Sequence, residues 1–265
     1  MNRIKRVFNK LRKEKKKAFI VYITAGFPNL RMTEKIVLGL EKSGVDIIEI
    51  GVPFSDPMAD GLTIQKSSER ALKAGVTLKK ILKCVKSIRK KSEIPIVFMS
   101  YLNPVYHYGM KKFVKDALKC GVDGVIFPDL PPEEAGEFEK PVKGKDFYII
   151  FLASPTSTAK RLKLVSRHSK GFVYYVSLTG VTGARDCLSP HISENIRKIK
   201  HITNKPVCVG FGVSDEKQAR QVSRIADGVI VGSAVIKVIS KNIKSKTIER
   251  EVAKFASRLS KAIKT

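Results

Sequence analysis

Short apolar runs alternate with amphipathic stretches along the whole chain. Eight segments of four to six residues, rich in Val, Ile, Phe or Tyr, read as strands: 19–24, 47–51, 96–100, 124–127, 148–152, 172–177, 207–210 and 228–231. Near-continuous apolar runs of this length are what parallel strands buried on both faces look like. Between them, apolar residues recur at helical spacing over 33–43, 78–89, 110–120, 215–223 and 248–263. Pro141 and Gly144 make the segment after the fourth strand a short, interrupted helix. Eight β/α alternations predict an α/β fold, a (β/α)8 TIM barrel, with an open doubly wound sheet as the rival. No GxGxxG follows the first strand, which weighs against dinucleotide binding. No Pro/Ser-rich linker breaks the pattern, so 1–265 reads as a single barrel domain.

The N-terminal segment 1–17 is separate from this alternation. Its apolar residues Ile4, Val7, Phe8 and Leu11 fall on one helical face, and it carries nine basic groups against one acid. This predicts a basic N-terminal amphipathic helix. Such a stripe either lies on an anionic membrane or packs on the domain's own core, and four residues on one side favour the core.

The formal net charge of +27 raises nucleic acid, anionic membranes and anionic substrates as partners. Charge runs are usually solvated faces, and the basic groups are spread over both ends and several helices rather than along one stripe. No nucleic-acid motif accompanies them, so neither nucleic acid nor membrane is expected as a partner. No apolar run reaches 18 residues and the N-terminus has no apolar signal core. Cys84, Cys120, Cys187 and Cys208 form no CxxC pair, and the four histidines show no HxxxH or HExxH spacing. A zinc site or disulfide framework is not expected, and a reducing, cytoplasmic setting is.

Chemistry in such a barrel belongs at the C-terminal strand ends. Glu49 lies inside the second apolar run and shares a face with Ile47 and Gly51. Buried without a partner, a carboxyl raises its pKa, which suits a general acid/base. The alternative is an ion pair, but no strand segment carries a lysine or arginine. The following loop places Asp56 and Asp60 beyond the same strand end. Glycines punctuate the last three strand ends: Thr179 to Arg185 holds Gly180 and Gly183, strand seven ends in Gly210-Phe211-Gly212, and strand eight ends in Gly232-Ser233 before a short apolar helical run. The first pair suggests a mobile loop such as a lid, while the glycine turns and helix N-terminus after strands seven and eight predict a phosphate site.

The strings EIGVPFSDPMADGLTIQ (49–65), FPDLPPEEA (127–135), SLTGVTGARDCL (177–188), VGFGVSD (209–215) and VIVGSAVIK (229–237) resemble the tryptophan synthase alpha subunit family, in order and spacing, from the first strand to the last helix. The resemblance implies a (β/α)8 lyase. It would cleave indole-3-glycerol phosphate to indole and glyceraldehyde 3-phosphate by a retro-aldol step in L-tryptophan biosynthesis, without metal or organic cofactor. Glu49 would be the general acid/base and Asp60 the second catalytic carboxylate. Gly183, Gly212, Gly232 and Ser233 would bind phosphate. Tyr22, Met99, Tyr174 and Phe211 would line the indole pocket, with Thr182 on a lid reaching the aspartate. Asp56, Pro57, Asn103, Tyr106 and Asp129 would face a beta subunit in an alpha2beta2 assembly. Tyr22 and Met99 depart from Phe and Leu of familiar members, which bears on the pocket shape rather than the reaction, and Leu62 stands where many members carry proline, which bears on the stiffness of the loop after strand two. A phosphosugar isomerase or epimerase on the same scaffold would account for the glycines but not for Glu49 with Asp60.

Overall fold

The structure, a computed structural model, describes residues 1–176, 190–210 and 212–265. Its strands are β1 (Ala18–Thr24), β2 (Ile47–Gly51), β3 (Ile96–Met99), β4 (Gly124–Ile126), β5 (Tyr148–Ile150), β6 (Leu152–Ala153), β7 (Val173–Val176), β8 (Val207–Gly210) and β9 (Gly228–Val231). All pairings are parallel, in the order β5-β4-β3-β2-β1-β9-β8-β7-β6. The two ends of that order, β5 and β6, are joined by the single residue Phe151, so the chain itself closes the ring into a TIM barrel.

The expected fifth strand, 148–152, is therefore two strands. Phe151 does not pair within the ladder: its N–H donates to the Ser169 hydroxyl at 3.0 Å while its carbonyl accepts from Tyr174. The break is a side-chain substitution for one sheet bond, which local hydropathy does not encode. The expected helices appear as α2 (Leu30–Lys42), α4 (Leu78–Ile88), α6 (Met110–Cys120), α10 (Glu216–Ile225) and α12 (Ile248–Lys264). The short interrupted helix is α7 (Gly136–Val142), with Pro141 inside it. Helix α3 (Leu62–Lys73) has no apolar stripe to betray it, because its buried face is Ser67, Ser68 and Ala71. Helices α5 (Leu102–Tyr108), α8 (Ala159–His168), α9 (Pro190–Ile202) and α11 (Ser233–Lys241) complete the outer layer.

Strand side chains alternate between two cores. Phe19, Val21, Ile48, Ile50, Phe98 and Val125 face the helices. Ala18, Ile20, Ile47, Val97, Ile126, Ile150, Cys208 and Ile230 fill the lower barrel interior, and Ile4, Phe8 and Leu11 of α1 (Arg3–Lys13) join them from below. The Phe8 and Phe172 rings meet at 5.7 Å. The N-terminal helix thus plugs the barrel floor, and its apolar stripe is spent on the core rather than left for a membrane. It ends at Lys13, short of residue 17, because Lys15 turns the chain at φ 54° while the Lys16 N–H returns to the Leu11 carbonyl.

The floor is held by three aspartates placed just ahead of strands. Asp46 accepts the Phe19 N–H at 2.8 Å and pairs with Lys264. Asp123 accepts the Ile96 N–H at 2.8 Å and pairs with Arg89 and Arg3. Asp227 accepts the Val207 N–H at 3.0 Å and pairs with Lys200. Asn2 ties α1 to the same layer by donating to the Asp123 and Asp146 carbonyls. With the floor closed, the end of the barrel left open among the described residues is the C-terminal one.

Candidate active site

A cavity of about 1530 Å³ occupies that C-terminal mouth, roomy for a ligand of a few tens of atoms. Of the residues expected at the site, Glu49, Asp60, Tyr22, Met99, Tyr174, Gly212, Gly232 and Ser233 line it together. Thr182, Gly183 and Phe211 lie outside the described residues.

Glu49 stands in the middle of β2, in register with Tyr22 on one side and Val97 on the other. It is 1% exposed, and neither carboxyl oxygen has a hydrogen-bond partner among the described residues. The ion-pair alternative is thereby excluded among the described residues. Burial, and secondly the negative charge of Asp60, push its pKa up to about 8.

Asp60 sits on the loop between β2 and α3. The loop is fixed locally: the Asp60 N–H donates to the Pro57 carbonyl, and the Gln65 side chain donates to the Asp60 carbonyl at 2.7 Å. Its carboxyl is pushed up to about 6 by burial, opposed by a hydrogen bond from the Tyr101 hydroxyl. That hydroxyl also accepts the Ala59 N–H at 2.8 Å, and the Tyr101 ring packs on Phe54 at 5.1 Å between centroids. Tyr101 is a site residue that sequence reasoning missed. The available signal was its place, directly after the third expected strand. The two carboxyls thus differ in kind. One has only apolar wall and a like charge for company, and the other has a donor.

Two glycines let aromatic side chains cross the mouth. A Cβ on Gly51 would fall 2.1 Å from the Tyr22 hydroxyl, and one on Gly210 would fall 2.4 Å from that of Tyr174. Both tyrosines are buried, and desolvation raises both hydroxyl pKa values far above ordinary.

At the end of β9, α11 begins at Ser233 with Gly232 as its N-cap, and no side chain caps it. The first-turn N–H groups of α11 are therefore available to a ligand, and the helix dipole favours an anion there. Gly212 takes φ 67°, the left-handed region, with open space where a Cβ would be. No group of three or more His, Cys, Asp or Glu side chains that could hold a metal occurs among the described residues.

The residues expected to face a partner ring the same mouth. Asp56 is exposed and hydrogen-bonds Ser55, with Pro57 beside it, half-buried. Asn103 and Tyr106 lie on α5, Tyr106 being 66% exposed. Asp129 does more than face outward: both its oxygens accept the Leu102 N–H, at 3.1 and 3.0 Å, at the start of α5, and it also lines the cavity. Met58 and Leu62 are exposed apolar residues on the same rim.

Comparison with known proteins agrees with this arrangement. A family profile described as tryptophan synthase alpha chain matches residues 8–264. The chain is 49% identical over 263 residues to a tryptophan synthase alpha chain of Geobacter sulfurreducens, covering 99% of each, and 53% identical over 237 residues to one of Geotalea daltonii, covering 89% of this chain and 90% of that one. Its structure is similar to that of tryptophan synthase subunit alpha from Legionella pneumophila, with a TM-score of 0.93 at 38% identity over 99% of this chain and 98% of that one. It is also similar to a chain of the tryptophan synthase a2b2 complex from Pyrococcus furiosus, with a TM-score of 0.86 at 39% identity over 92% and 98% of the two chains. The chain belongs to the tryptophan synthase alpha chain family.

Proposed function

We propose that Glu49 and Asp60 carry the lyase reaction of this family, the cleavage of indole-3-glycerol phosphate to indole and glyceraldehyde 3-phosphate. The observation that bears most weight is the Glu49 carboxyl, buried without a partner in a ligand-sized mouth and holding its proton at neutral pH.

In this reading the substrate phosphate rests on the N–H groups at Gly212, Gly232 and Ser233, with Gly183 added from beyond the described residues. Tyr22, Met99 and Tyr174 wall the indole, and Phe211 and Thr182, outside the described residues, are assigned to it by the family resemblance. Protonated Glu49 gives its proton to C3 of the indole, making an indolenine cation. Ionised Asp60, steadied by Tyr101, accepts the ring N–H and stabilises the positive charge. The Glu49 carboxylate then takes the proton of the C3′ hydroxyl as the C3–C3′ bond breaks. The bond's electron pair returns to the ring, and the C3′ carbon leaves as the aldehyde. Glu49 ends as it began, protonated, so the cycle balances without an external acid or base.

The chain works as one barrel domain in a reducing, cytoplasmic setting, where Cys84, Cys120 and Cys208 stay unpaired. The mouth is also the docking face for a beta subunit. Exposed Met58, Leu62 and Tyr106 sit among Asp56, Pro57, Asn103 and Asp129, and the Pyrococcus furiosus neighbour is described as part of an a2b2 complex. The test is indole release on adding indole-3-glycerol phosphate, with and without purified beta subunit. No indole under either condition rejects the assignment. No co-elution of the two chains rejects the partner.

A further inference from the structure

The mechanism uses two carboxyls and a row of N–H groups but leaves buried tyrosine hydroxyls in the cavity without a task, and that of Tyr22 is the one whose hydrogen bonding is on view. It is 7% exposed and lines the cavity with Glu49 and Asp60. Its proton is accounted for by a chain of hydroxyls. Ser67 donates to the Ile64 carbonyl at 2.7 Å. Ser67 has one proton, so in the 2.6 Å contact between Thr24 and Ser67 the threonine is the donor. Thr24 then has none left for Tyr22, so across their 3.4 Å contact the tyrosine donates. The phenolic oxygen keeps a lone pair, and no donor reaches it among the described residues.

The position of that lone pair follows from the strand order. β1 lies between β9 and β2. The base of the Tyr22 side chain lies against Gly232, where an added Cβ would be 3.3 Å from the Tyr22 Cβ. Its tip lies over Gly51, two residues beyond Glu49 on the same strand face. Tyr22 therefore spans from the phosphate end of the cavity to the proton-donating carboxyl. A three-carbon chain linking phosphate to the reacting bond has to pass along it. That chain bears two hydroxyls, and Glu49 serves the one at C3′.

We propose that Tyr22 is a specificity-determining residue whose oxygen accepts a hydrogen bond from the middle, C2′ hydroxyl of the substrate's glycerol chain. This rests on the reading of the site given above. It makes Tyr22 more than an apolar wall. A site built to pair a substrate hydroxyl discriminates against the analogue lacking it, because a buried lone pair is left empty.

The test compares kcat/KM for wild type and Tyr22→Phe on indole-3-glycerol phosphate and on its analogue lacking the C2′ hydroxyl. Tyr22→Phe is expected to lower kcat/KM about tenfold on the full substrate, the worth of one hydrogen bond, and to leave the analogue unchanged. Equal loss on both substrates, or no loss on either, overturns the assignment. Thr24→Val supplies the same comparison should Tyr22→Phe fail to fold. It keeps the phenol but removes the acceptor of its proton, so a loss confined to the full substrate is expected and an equal loss on both overturns the assignment. A wild-type chain that releases no indole overturns the reading of the site and this inference with it. A wild type that cleaves, with equal effects on both substrates, overturns only the role of Tyr22.

Discussion

Replacing Glu49 by glutamine should abolish turnover and stabilise the fold, and the size of the second effect can be worked out. The Glu49 carboxyl ionises near 4.5 when the chain is unfolded and near 8 when it is buried. Between those values the folded chain holds a proton that the unfolded chain has released. Stability therefore falls as pH rises across that window, by about 1.4 kcal/mol per unit. At pH 7 the penalty is about 3 kcal/mol, and at pH 5 about 1 kcal/mol. An amide has similar volume, cannot ionise, and meets the same partnerless walls as the protonated acid. Glu49→Gln should thus raise the melting temperature by roughly 6–12 °C at pH 7, at about 2–4 °C per kcal/mol for a chain of this size. The gain should shrink at pH 5 and grow towards pH 8. Turnover should fall by about 10²–10⁴-fold with loss of the proton shuttle. Calorimetric melts of both chains from pH 5 to 8 decide the matter. A difference in melting temperature that stays flat across that range refutes the buried, proton-holding carboxyl. Near-wild-type turnover refutes its role.

Four further outcomes follow from the same geometry. The pH profile of kcat/KM should be bell-shaped, rising near 6 as Asp60 ionises and falling near 8 as Glu49 loses its proton. Tyr101→Phe removes the donor that holds Asp60 down, so the acid limb should move to higher pH, and an unmoved limb refutes that hydrogen bond. Asp123→Ala leaves Arg89, 9% exposed, without its carboxylate and should cost about 3–5 kcal/mol in urea unfolding while kcat of the folded enzyme holds; a loss below about 1 kcal/mol refutes the clamp. Gly51→Ala puts a methyl 2.1 Å from the Tyr22 hydroxyl and should cost about 1–3 kcal/mol and raise KM, and a melt and KM equal to wild type refute the close crossing.

The barrel was legible because each parallel strand, buried on both faces, writes a short apolar run into the sequence. Glu49 was legible for the same reason, as the one charge inside such a run. Other features were hidden by their physical origin. The break at Phe151 depends on a hydroxyl 18 residues away. Helix α3 escapes periodicity because small polar side chains, Ser67 and Ser68, face the core, and Ser67 is there bonded to Thr24. Tyr101 looked like one more aromatic at a strand end, and only the loop folding back over it reveals that it holds Asp60. The outward reading of Asp129 missed its second task because that bond crosses from one β/α loop to the next.

Carboxyl side chains meet different surroundings at the two ends of this barrel, and the backbone explains why. A parallel strand leaves unpaired N–H groups at its N-terminal end and unpaired carbonyls at its C-terminal end. At the floor, Asp46, Asp123 and Asp227 each find a strand N–H and a cation. Held from both sides by these donors, the three carboxylates serve as clamps. Glu49 faces the cavity, where no N–H group or cation among the described residues reaches its carboxyl. Ionisation there has nothing to meet it, so the proton stays on. The helices run antiparallel to the strands, so their N-termini, with free N–H groups, face that same mouth but at its rim. The mouth is therefore hostile to an anion at Glu49 and welcoming at its edge. On the proposed reading, a substrate with a phosphate at one end and a proton-demanding ring at the other fits that polarity in one orientation, with phosphate on α11 and the scissile bond over Glu49.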